Sequence, residues 1–396
     1  MDRDAPLIFL IAGEPSGDLI ASRLMVALKR QTGGRVRFAG IGGPLMAEQG
    51  LESLFPFSEL SLVGFLEVVP HVPRMLGRIR ATARTARRLR PAAFVSVDVP
   101  EFALRVARRL SGAGFPLVHY VAPTVWAYRP GRAREVARYL DHVLCLFPFE
   151  PPYFEAEGLD ASFVGHPLVE EPIESADGPG FRRRHGIEPG QRVIAALPGS
   201  RASELRRHQP VFGATVRALA RRIEGLHVLV PTLPQHRAAV AAETASWSAP
   251  VTVIDGKAEK YAAFAASDAA LTVSGTATLE LALAAVPMIV CYRVNPLTAA
   301  IARRVLLVQH IAMPNIIAER RAAPEFVQSE CAPRRLVPAM EELLLDAGRR
   351  QEQIESFGEI AARLGRGGPP PSERAAQAIL NLAERRADHA RRPAAS

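Results

Sequence analysis

Cysteine is scarce. The 396-residue chain holds Cys145, Cys291 and Cys331, too few and too odd in number for a disulfide framework, and their spacing matches no zinc site. Buried thiols in a reducing compartment are expected. Lysine is almost absent as well: only Lys29, Lys257 and Lys260 occur, so nearly all the positive charge is arginine. Long apolar runs are missing too. Leu281–Tyr292 is interrupted by Pro287 and falls short of the roughly 20 residues that span a bilayer, while Leu7–Ala12 is too short for a signal-peptide core. A cytoplasmic chain is expected, with surface contact to a membrane left open. What is there in quantity is ordinary globular material, 48% hydrophobic and 22% charged, which excludes wholesale disorder. The length allows two or three domains with their own cores. Lys+Arg 49 against Asp+Glu 40 gives a net charge of +9, which favours an anionic partner: nucleic acid, a phospholipid surface or a phosphorylated substrate.

Short apolar runs alternate with helix-period segments, the pattern of parallel α/β sheets. Strands are predicted at Leu7–Ala12, Val36–Gly40, Ala93–Val97, Pro116–Val121 and His142–Phe147. Glu171–Gly190, rich in Pro, Gly and charge, reads as a junction. The rhythm restarts at Val193–Leu197, His227–Pro231, Val251–Ile254, Ala269–Val273 and Met288–Tyr292. Two α/β halves follow from this. Helical periodicity returns at Arg334–Leu364 and Glu373–Arg386, and a frayed tail is expected from Ala387.

The first predicted strand runs into Gly13-Glu14-Pro15-Ser16-Gly17-Asp18 and then a helix, a glycine-containing turn at the edge where open α/β sheets bind ligands. Its spacing is neither a dinucleotide fingerprint nor a Walker loop. Backbone N–H groups facing an anion or a sugar fit it, and so does a plain helix start capped by Ser16 and Asp18. Asp98 ends the Ala93–Val97 run. There it either takes a proton from a hydroxyl nucleophile or caps the helix entered at Pro100. His119 reads as a core histidine.

In the second half, Val193–Leu197 leads into Pro198-Gly199-Ser200-Arg201 and a helix containing Glu204. A glycine for close approach, a hydroxyl and an arginine at a helix N-terminus suit a diphosphate. A structural turn accounts for Gly199 and Ser200, but leaves a cation at the positive end of a helix dipole. Ser274-Gly275-Thr276-Ala277-Thr278-Leu279-Glu280 is a second such turn, with Glu280 placed to accept hydrogen bonds from ribose hydroxyls. Two turns of this kind in one half suggest a nucleotide site, against ordinary helix-start chemistry at each.

No acid lies between Glu67 and Asp98, whereas Arg74, Arg78, Arg80, Arg84, Arg87, Arg88 and Arg90 follow the apolar cluster Phe65, Leu66, Val68, Val69, Val72, Met75 and Leu76. A basic helix beside an apolar cluster suits the headgroup region of an anionic membrane. Nucleic acid would call for aromatic residues among the arginines, and the run has none. The commoner alternative is a solvated arginine face on a core-packed helix.

Taken in order, Gly13-Glu14-Pro15-Ser16-Gly17-Asp18, His119-Tyr120-Val121-Ala122-Pro123-Thr124-Val125-Trp126-Ala127, Gly165-His166-Pro167, Leu197-Pro198-Gly199-Ser200-Arg201, Ser274 to Glu280 and Met313-Pro314-Asn315 resemble the lipid-A-disaccharide synthase family, inverting GT-B glycosyltransferases. The resemblance covers most of the chain. It implies an α/β fold of GT-B type, with two Rossmann-like domains whose parallel sheets face an inter-domain cleft. Residues 1–170 would form the acceptor and membrane-facing domain and 171–345 the UDP-sugar domain. Residues 346–396 would be C-terminal helices crossing back to the first domain or onto a partner.

The implied reaction joins UDP-2,3-diacylglucosamine to the 6-hydroxyl of 2,3-diacylglucosamine 1-phosphate with inversion, giving the β-1,6 lipid A disaccharide 1-phosphate and UDP in lipopolysaccharide biosynthesis. Carried over residue by residue, Asp98 matches the proposed general base. Gly199, Ser200 and Arg201 match the diphosphate loop. Ser274, Gly275, Thr276 and Thr278 match the second loop, with Glu280 toward the ribose and Asn315 and Gln328 at the remaining donor-side positions. Glu14, Ser16, Gly17 and Asp18 fall on the acceptor side. Phe65, Leu66, Val68, Val69, Val72, Met75, Leu76 and Arg78 would then face the inner leaflet of a Gram-negative bacterium's inner membrane.

By the same resemblance no metal and no cofactor is expected, no nucleic acid is a partner, and a homodimer is left open. The chain departs from the family at Ala103, where an asparagine is common, at Tyr128 in place of a tryptophan, and at Glu319 in place of a glycine. The competing readings are another GT-B member acting on a UDP-sugar, such as an epimerase or the peptidoglycan transferase, and a non-catalytic basic protein docking on membrane or RNA. The last leaves the two phosphate turns without a purpose.

Overall fold

A computed structural model describes residues 5–60 and 72–391. The chain divides into two compact units, residues 1–169 with 364–396, and residues 170–363. The first contains β1 (Leu7–Ile11), α1 (Pro15–Gln31), β2 (Arg37–Ile41), α2 (Pro44–Glu48), α3 (Val72–Leu89), β3 (Ala93–Val97), α4 (Pro100–Leu110), β4 (Leu117–Tyr120), α5 (Gly131–Ala137), β5 (His142–Cys145), α6 (Pro151–Glu155) and β6 (Asp160–Phe163). The second contains α7 (Gly178–Arg184), β7 (Val193–Leu197), α8 (Ala202–Ala220), β8 (His227–Pro231), α9 (Arg237–Thr244), β9 (Val251–Ile254), α10 (Lys257–Ala266), β10 (Ala269–Val273), α11 (Thr276–Leu283), β11 (Met288–Tyr292), α12 (Pro296–Val305), α13 (Met313–Ala318), β12 (Glu325–Val327), α14 (Pro333–Leu345) and α15 (Ala347–Arg363). The final helix, α16 (Pro371–Arg391), returns to the first unit.

Each unit is built on a six-stranded, wholly parallel sheet, in the orders β2-β1-β3-β4-β5-β6 and β12-β11-β10-β7-β8-β9. Helices cover parallel sheets on both faces, so their strands are continuous apolar runs rather than alternating ones. The central strands β3, β7 and β10 accordingly have every residue buried. The second order is the doubly wound Rossmann arrangement. In such sheets the strand order reverses at a switch point, and the loops leaving the strands there form the ligand crevice. The reversal falls between β1 and β3 in one unit and between β7 and β10 in the other. The turns singled out in the sequence leave these four strands.

The strands missed by the sequence reading, β6 and β12, are short and lie at sheet edges, and β6 is half exposed. An edge strand lacks the two-sided burial that makes a strand legible. The supposed junction at 171–190 contains α7, whose N-terminus is capped by Asp177 accepting from the Gly180 N–H at 2.7 Å. Phe181 on α7 is fully buried beside Ile187 and Val193. The second unit runs to Arg363 rather than ending at 345, because α15 packs on α11, α13 and α14 and buries Phe357 and Ile360. In the first unit α16 packs on α1: Arg30 pairs with Glu373 at 2.7 Å, Gln31 donates to the Glu373 carbonyl at 2.9 Å, and Arg374 donates to the Phe163 carbonyl at 2.7 Å. The last described turn of α16 extends past Ala387, where fraying was expected.

Cys145, Cys291 and Cys331 are buried and free. Among the described residues no helix is long and apolar enough to cross a membrane. On α3, Ile79, Thr82, Ala83 and Ala86 are buried while Arg80, Arg84, Arg87 and Arg88 are exposed, so the described part of the basic run is a solvated face on a core-packed helix.

Candidate functional site

At the switch point of the first unit, the backbone of Asp98 and Val99 is left-handed, with φ of 54° and 47°. For the β-branched Val99 this is a strained conformation. Asp98 is half buried, and its backbone N–H donates to the Tyr120 carbonyl at 3.0 Å. The residue that caps α4 is Val99, and no side chain completes that cap. The capping role for Asp98 is therefore not realised, and its carboxylate makes no hydrogen bond or ion pair among the described residues. The first turn of α1 abuts it: a Cβ at Gly17 would stand 3.3 Å from the Val97 carbonyl oxygen and 3.8 Å from the Asp98 Cβ. Glu14 is exposed at the head of the same helix, and its pKa is raised, first by partial burial and then by the charge of Asp98. Ser16 is exposed beside it.

Asp18 does something else. It is 2% exposed, and its carboxylate accepts the backbone N–H groups of Gly43, Leu45 and Met46 at 2.9, 3.0 and 3.1 Å. It thus satisfies the otherwise unpaired N-terminus of α2. His119 is fully buried, with Nδ1 bonded to the Ser96 hydroxyl at 2.7 Å, and burial lowers its pKa to about 3. It is a neutral core histidine.

Of the expected membrane-facing residues, Phe65, Leu66, Val68 and Val69 lie outside the described residues, as does the side chain of Val72. Met75 and Leu76 are half buried against the first unit's core. Arg78 is held by Glu59 through two bonds of 3.0 Å and lies 4.5 Å over the Phe55 ring. The hydrogen bond from Arg78 is the main reason the Glu59 pKa is lowered. Within the unit Met75 and Leu76 pack partly on the core and Arg78 is held by Glu59, while Leu76 also borders a groove along α4 and α5.

In the second unit the turns after β7 and β10 line one cavity of about 390 Å³, which brings together Gly199, Ser200, Arg201, Ser274, Gly275, Thr276 and Glu280. The backbone at Gly199 has φ 129°, and a Cβ there would come within 2.4 Å of the Glu204 Cβ, so only glycine fits. Arg201 is the N-cap residue of α8, and Glu204, three residues on, reaches back to its backbone N–H, which is one half of a capping box. One oxygen of Glu204 accepts the backbone N–H of Ser200 at 3.0 Å and of Arg201 at 3.3 Å; the other accepts the Arg201 guanidinium at 3.0 Å. This explains the cation at a helix N-terminus, since the arginine arrives with its own counter-ion. The amides expected to face a diphosphate are thus engaged by Glu204, while the Arg201 side chain remains 77% exposed.

The second turn is more open. Thr276 is exposed at the start of the eight-residue α11. Ser274 donates to the Ile311 carbonyl at 2.6 Å. Thr278 is fully buried and donates to the Gly275 carbonyl at 2.7 Å, so its hydroxyl shapes the turn instead of facing the cavity. Glu280 accepts from Lys260 at 2.7 Å and from the Tyr261 hydroxyl at 3.4 Å, both through Oε1. Lys260, supplied by α10, also lines the cavity and was missed by the sequence reading. That it is one of three lysines in the chain was the available signal.

Asn315 and Gln328, expected at donor-side positions, both bond to the backbone. Asn315 is fully buried; its amide donates to the Ala323 carbonyl and to Glu325, each at 2.8 Å, and accepts the Ala323 N–H at 2.7 Å. Glu325 in turn accepts the N–H groups of Ile311 and Ala312 at 3.1 and 2.8 Å. Since Ile311 holds Ser274, Asn315 supports the cavity at one remove. Gln328 accepts the Val294 N–H at 3.1 Å and anchors the loop after β11. Glu319, where a glycine is common in the resembled family, has φ 55° and ends α13 in a left-handed cap, the conformation that glycine adopts without strain. Among the described residues no group of three or more His, Cys, Asp or Glu is placed to hold a metal ion.

A sequence model of the lipid-A-disaccharide synthetase family matches residues 8–378. The chain is 52% identical over 382 residues to a lipid-A-disaccharide synthase of Rhodospirillum centenum, covering 96% of this chain and 95% of that protein. It is 44% identical over 380 residues to one of Paramagnetospirillum magneticum, covering 95% and 97%. Among solved structures it is similar to Acinetobacter baumannii MurG, with TM-score 0.59 and 16% identity over 95% of this chain and 99% of that one. At that identity the likeness concerns the fold alone, and the fold is of GT-B type.

Proposed function

The chain belongs to the lipid-A-disaccharide synthetase family, and from that premise we propose that it transfers 2,3-diacylglucosamine from its UDP conjugate to the 6-hydroxyl of 2,3-diacylglucosamine 1-phosphate. Glycosyl transfer follows from the family. The substrates and the stereochemical course are our reading.

Asp98 takes the proton of the acceptor hydroxyl while its oxygen bonds the anomeric carbon. The bond from that carbon to UDP breaks, with its electron pair leaving on the diphosphate. One displacement inverts the configuration. The observation that carries this is the state of Asp98: a half-buried carboxylate at a switch point, on a strained backbone, with no hydrogen bond or ion pair among the described residues. A general base must be reachable and unengaged.

On the donor side, the exposed guanidinium of Arg201, the Lys260 ammonium and the amides opening α11 offset the departing charge without a metal ion or cofactor. Glu280 receives the ribose hydroxyls through the oxygen that Lys260 and Tyr261 do not use.

Peripheral attachment at the inner membrane's cytoplasmic face is part of the proposal. Its support among the described residues lies on α12 and just beyond, where Leu297, Ile301, Val305, Leu306 and Leu307 are exposed beside Arg303 and Arg304. An apolar strip with flanking arginines suits an anionic interface. The deciding experiment incubates the purified protein with the UDP-sugar lipid and the monosaccharide 1-phosphate. Disaccharide and UDP in equal amounts are expected, and no product under conditions where UDP binds would refute the reading.

A further inference from the structure

We propose that a basic groove along α4 and α5 in the first unit is the receptor for the phosphomonoester of an amphiphilic sugar acceptor. This rests on the transferase reading and adds to it a site that holds the phosphate.

The groove has a volume of about 990 Å³ and is lined by five arginines against two glutamates. Glu101 is already engaged by Arg132 at 3.2 Å and Arg105 at 3.5 Å. Arg108 and Arg129 are exposed and make no side-chain hydrogen bond or ion pair among the described residues. Two guanidiniums held in one concave surface without a carboxylate partner form an anion site, and the planar fork of arginine matches a phosphate with two parallel bonds.

Position argues for substrate. Pro100 and Glu101, the first residues of α4, belong to the groove and follow Asp98 by two and three positions. The groove is thus lined by the first turn of the helix that follows the base. Arg129 is itself left-handed, with φ 55°, immediately before Pro130 and α5. Strain of this kind persists where the surroundings enforce it and is common at ligand clamps.

The lining also selects the kind of anion. Leu76 and Leu104 supply apolar surface among the arginines, and Tyr139 supplies a phenol. A fully hydrated inorganic ion gains nothing from the leucines, whereas a phosphorylated sugar carrying acyl chains meets both surfaces. Nucleic acid would call for several stacking aromatics, and the groove has one.

The test is equilibrium binding in detergent micelles, without donor, of 2,3-diacylglucosamine 1-phosphate and of the same lipid lacking the phosphate. The wild type is expected to bind the phosphorylated form about 10-fold or more tightly. Arg108→Ala with Arg129→Ala should abolish that preference while leaving affinity for the dephosphorylated lipid and for UDP unchanged. Arg129→Lys should keep part of it. An unaltered preference in the double variant overturns the proposal. So does an equal loss for both lipids with UDP binding retained, which would make the arginines structural. Phosphatidylglycerol vesicles provide the second arm: if the double variant loses vesicle binding but keeps the acceptor preference, the groove is a headgroup site and the proposal fails. Because no turnover is needed, a wild type that makes no disaccharide but discriminates by phosphate refutes the transferase reading and leaves the groove standing.

Discussion

The turns after β3 and β7 stand at equivalent places, each leaving a central strand at the switch point of its sheet and entering a helix. They treat their charges in opposite ways. After β7, Glu204 accepts from the Arg201 guanidinium and from the backbone N–H groups of Ser200 and Arg201, with a relaxed extended cap residue at φ −107°. After β3, two consecutive left-handed residues lead into α4 with no side-chain cap, and the Asp98 carboxylate has no partner among the described residues. A scaffold can tolerate one such turn if its function requires a group that is available to a substrate. The difference suggests that binding chemistry is compatible with a self-satisfied turn, because a ligand can compete for it, whereas a proton acceptor engaged in a cap has lost the basicity it needs.

The largest effect should come from Asp98→Asn, which keeps the shape of the strained turn and removes its base. Turnover should fall by about 10²–10⁴-fold with UDP affinity unchanged, as measured by steady-state rates and UDP titration. A rate near wild type would break the contrast between the two turns. The same variant removes one of the two causes that raise the Glu14 pKa, so a carbon-detected NMR titration should find Glu14 moved back toward the ordinary carboxylate range, short of it by the share due to burial.

A smaller effect is expected at the satisfied turn. Glu204→Gln preserves an acceptor for the Ser200 and Arg201 amides but removes a negative charge from the place where a diphosphate would sit. UDP should bind roughly 2–5-fold more tightly, the range set by a single charge near a helix N-terminus. Weaker binding in calorimetry would show that Glu204 serves the ligand by orienting Arg201 and does not compete with it.

The smallest change concerns strain that serves no substrate. Glu319 is left-handed at the end of α13, and its ion pair with Arg363 at 3.9 Å is exposed and worth little. Glu319→Gly should therefore raise stability by about 1 kcal/mol, seen as a higher denaturation midpoint, with activity unaltered. If activity fell, left-handed strain in the second unit would be functional too.

Much of this was legible in advance, for a definite reason. Ten strands announced themselves because parallel strands buried on both faces must be apolar throughout, and the four turns at the switch points followed from where those runs stop. The fates of individual polar groups were not legible. Asp18 and Asn315 carry the same chemistry whether they meet a ligand or a backbone amide, and both meet backbone from segments 25 and 8 residues away. Lys260 was passed over because it reaches Glu280 from the preceding helix, 20 residues upstream.

Sequence alone determined that this chain folds as two parallel α/β units with ligand-competent turns, since burial periodicity and small-residue turns are local properties written along the chain. Tertiary structure decided which charges are available. Asp18, Arg78 and Asn315 are engaged within the fold, while Asp98, Arg108 and Arg129 have no side-chain partner among the described residues. The physical reason is that a hydrogen bond or ion pair depends on distance in space, and residues far apart in sequence become competitors for the same charge only after the chain has packed.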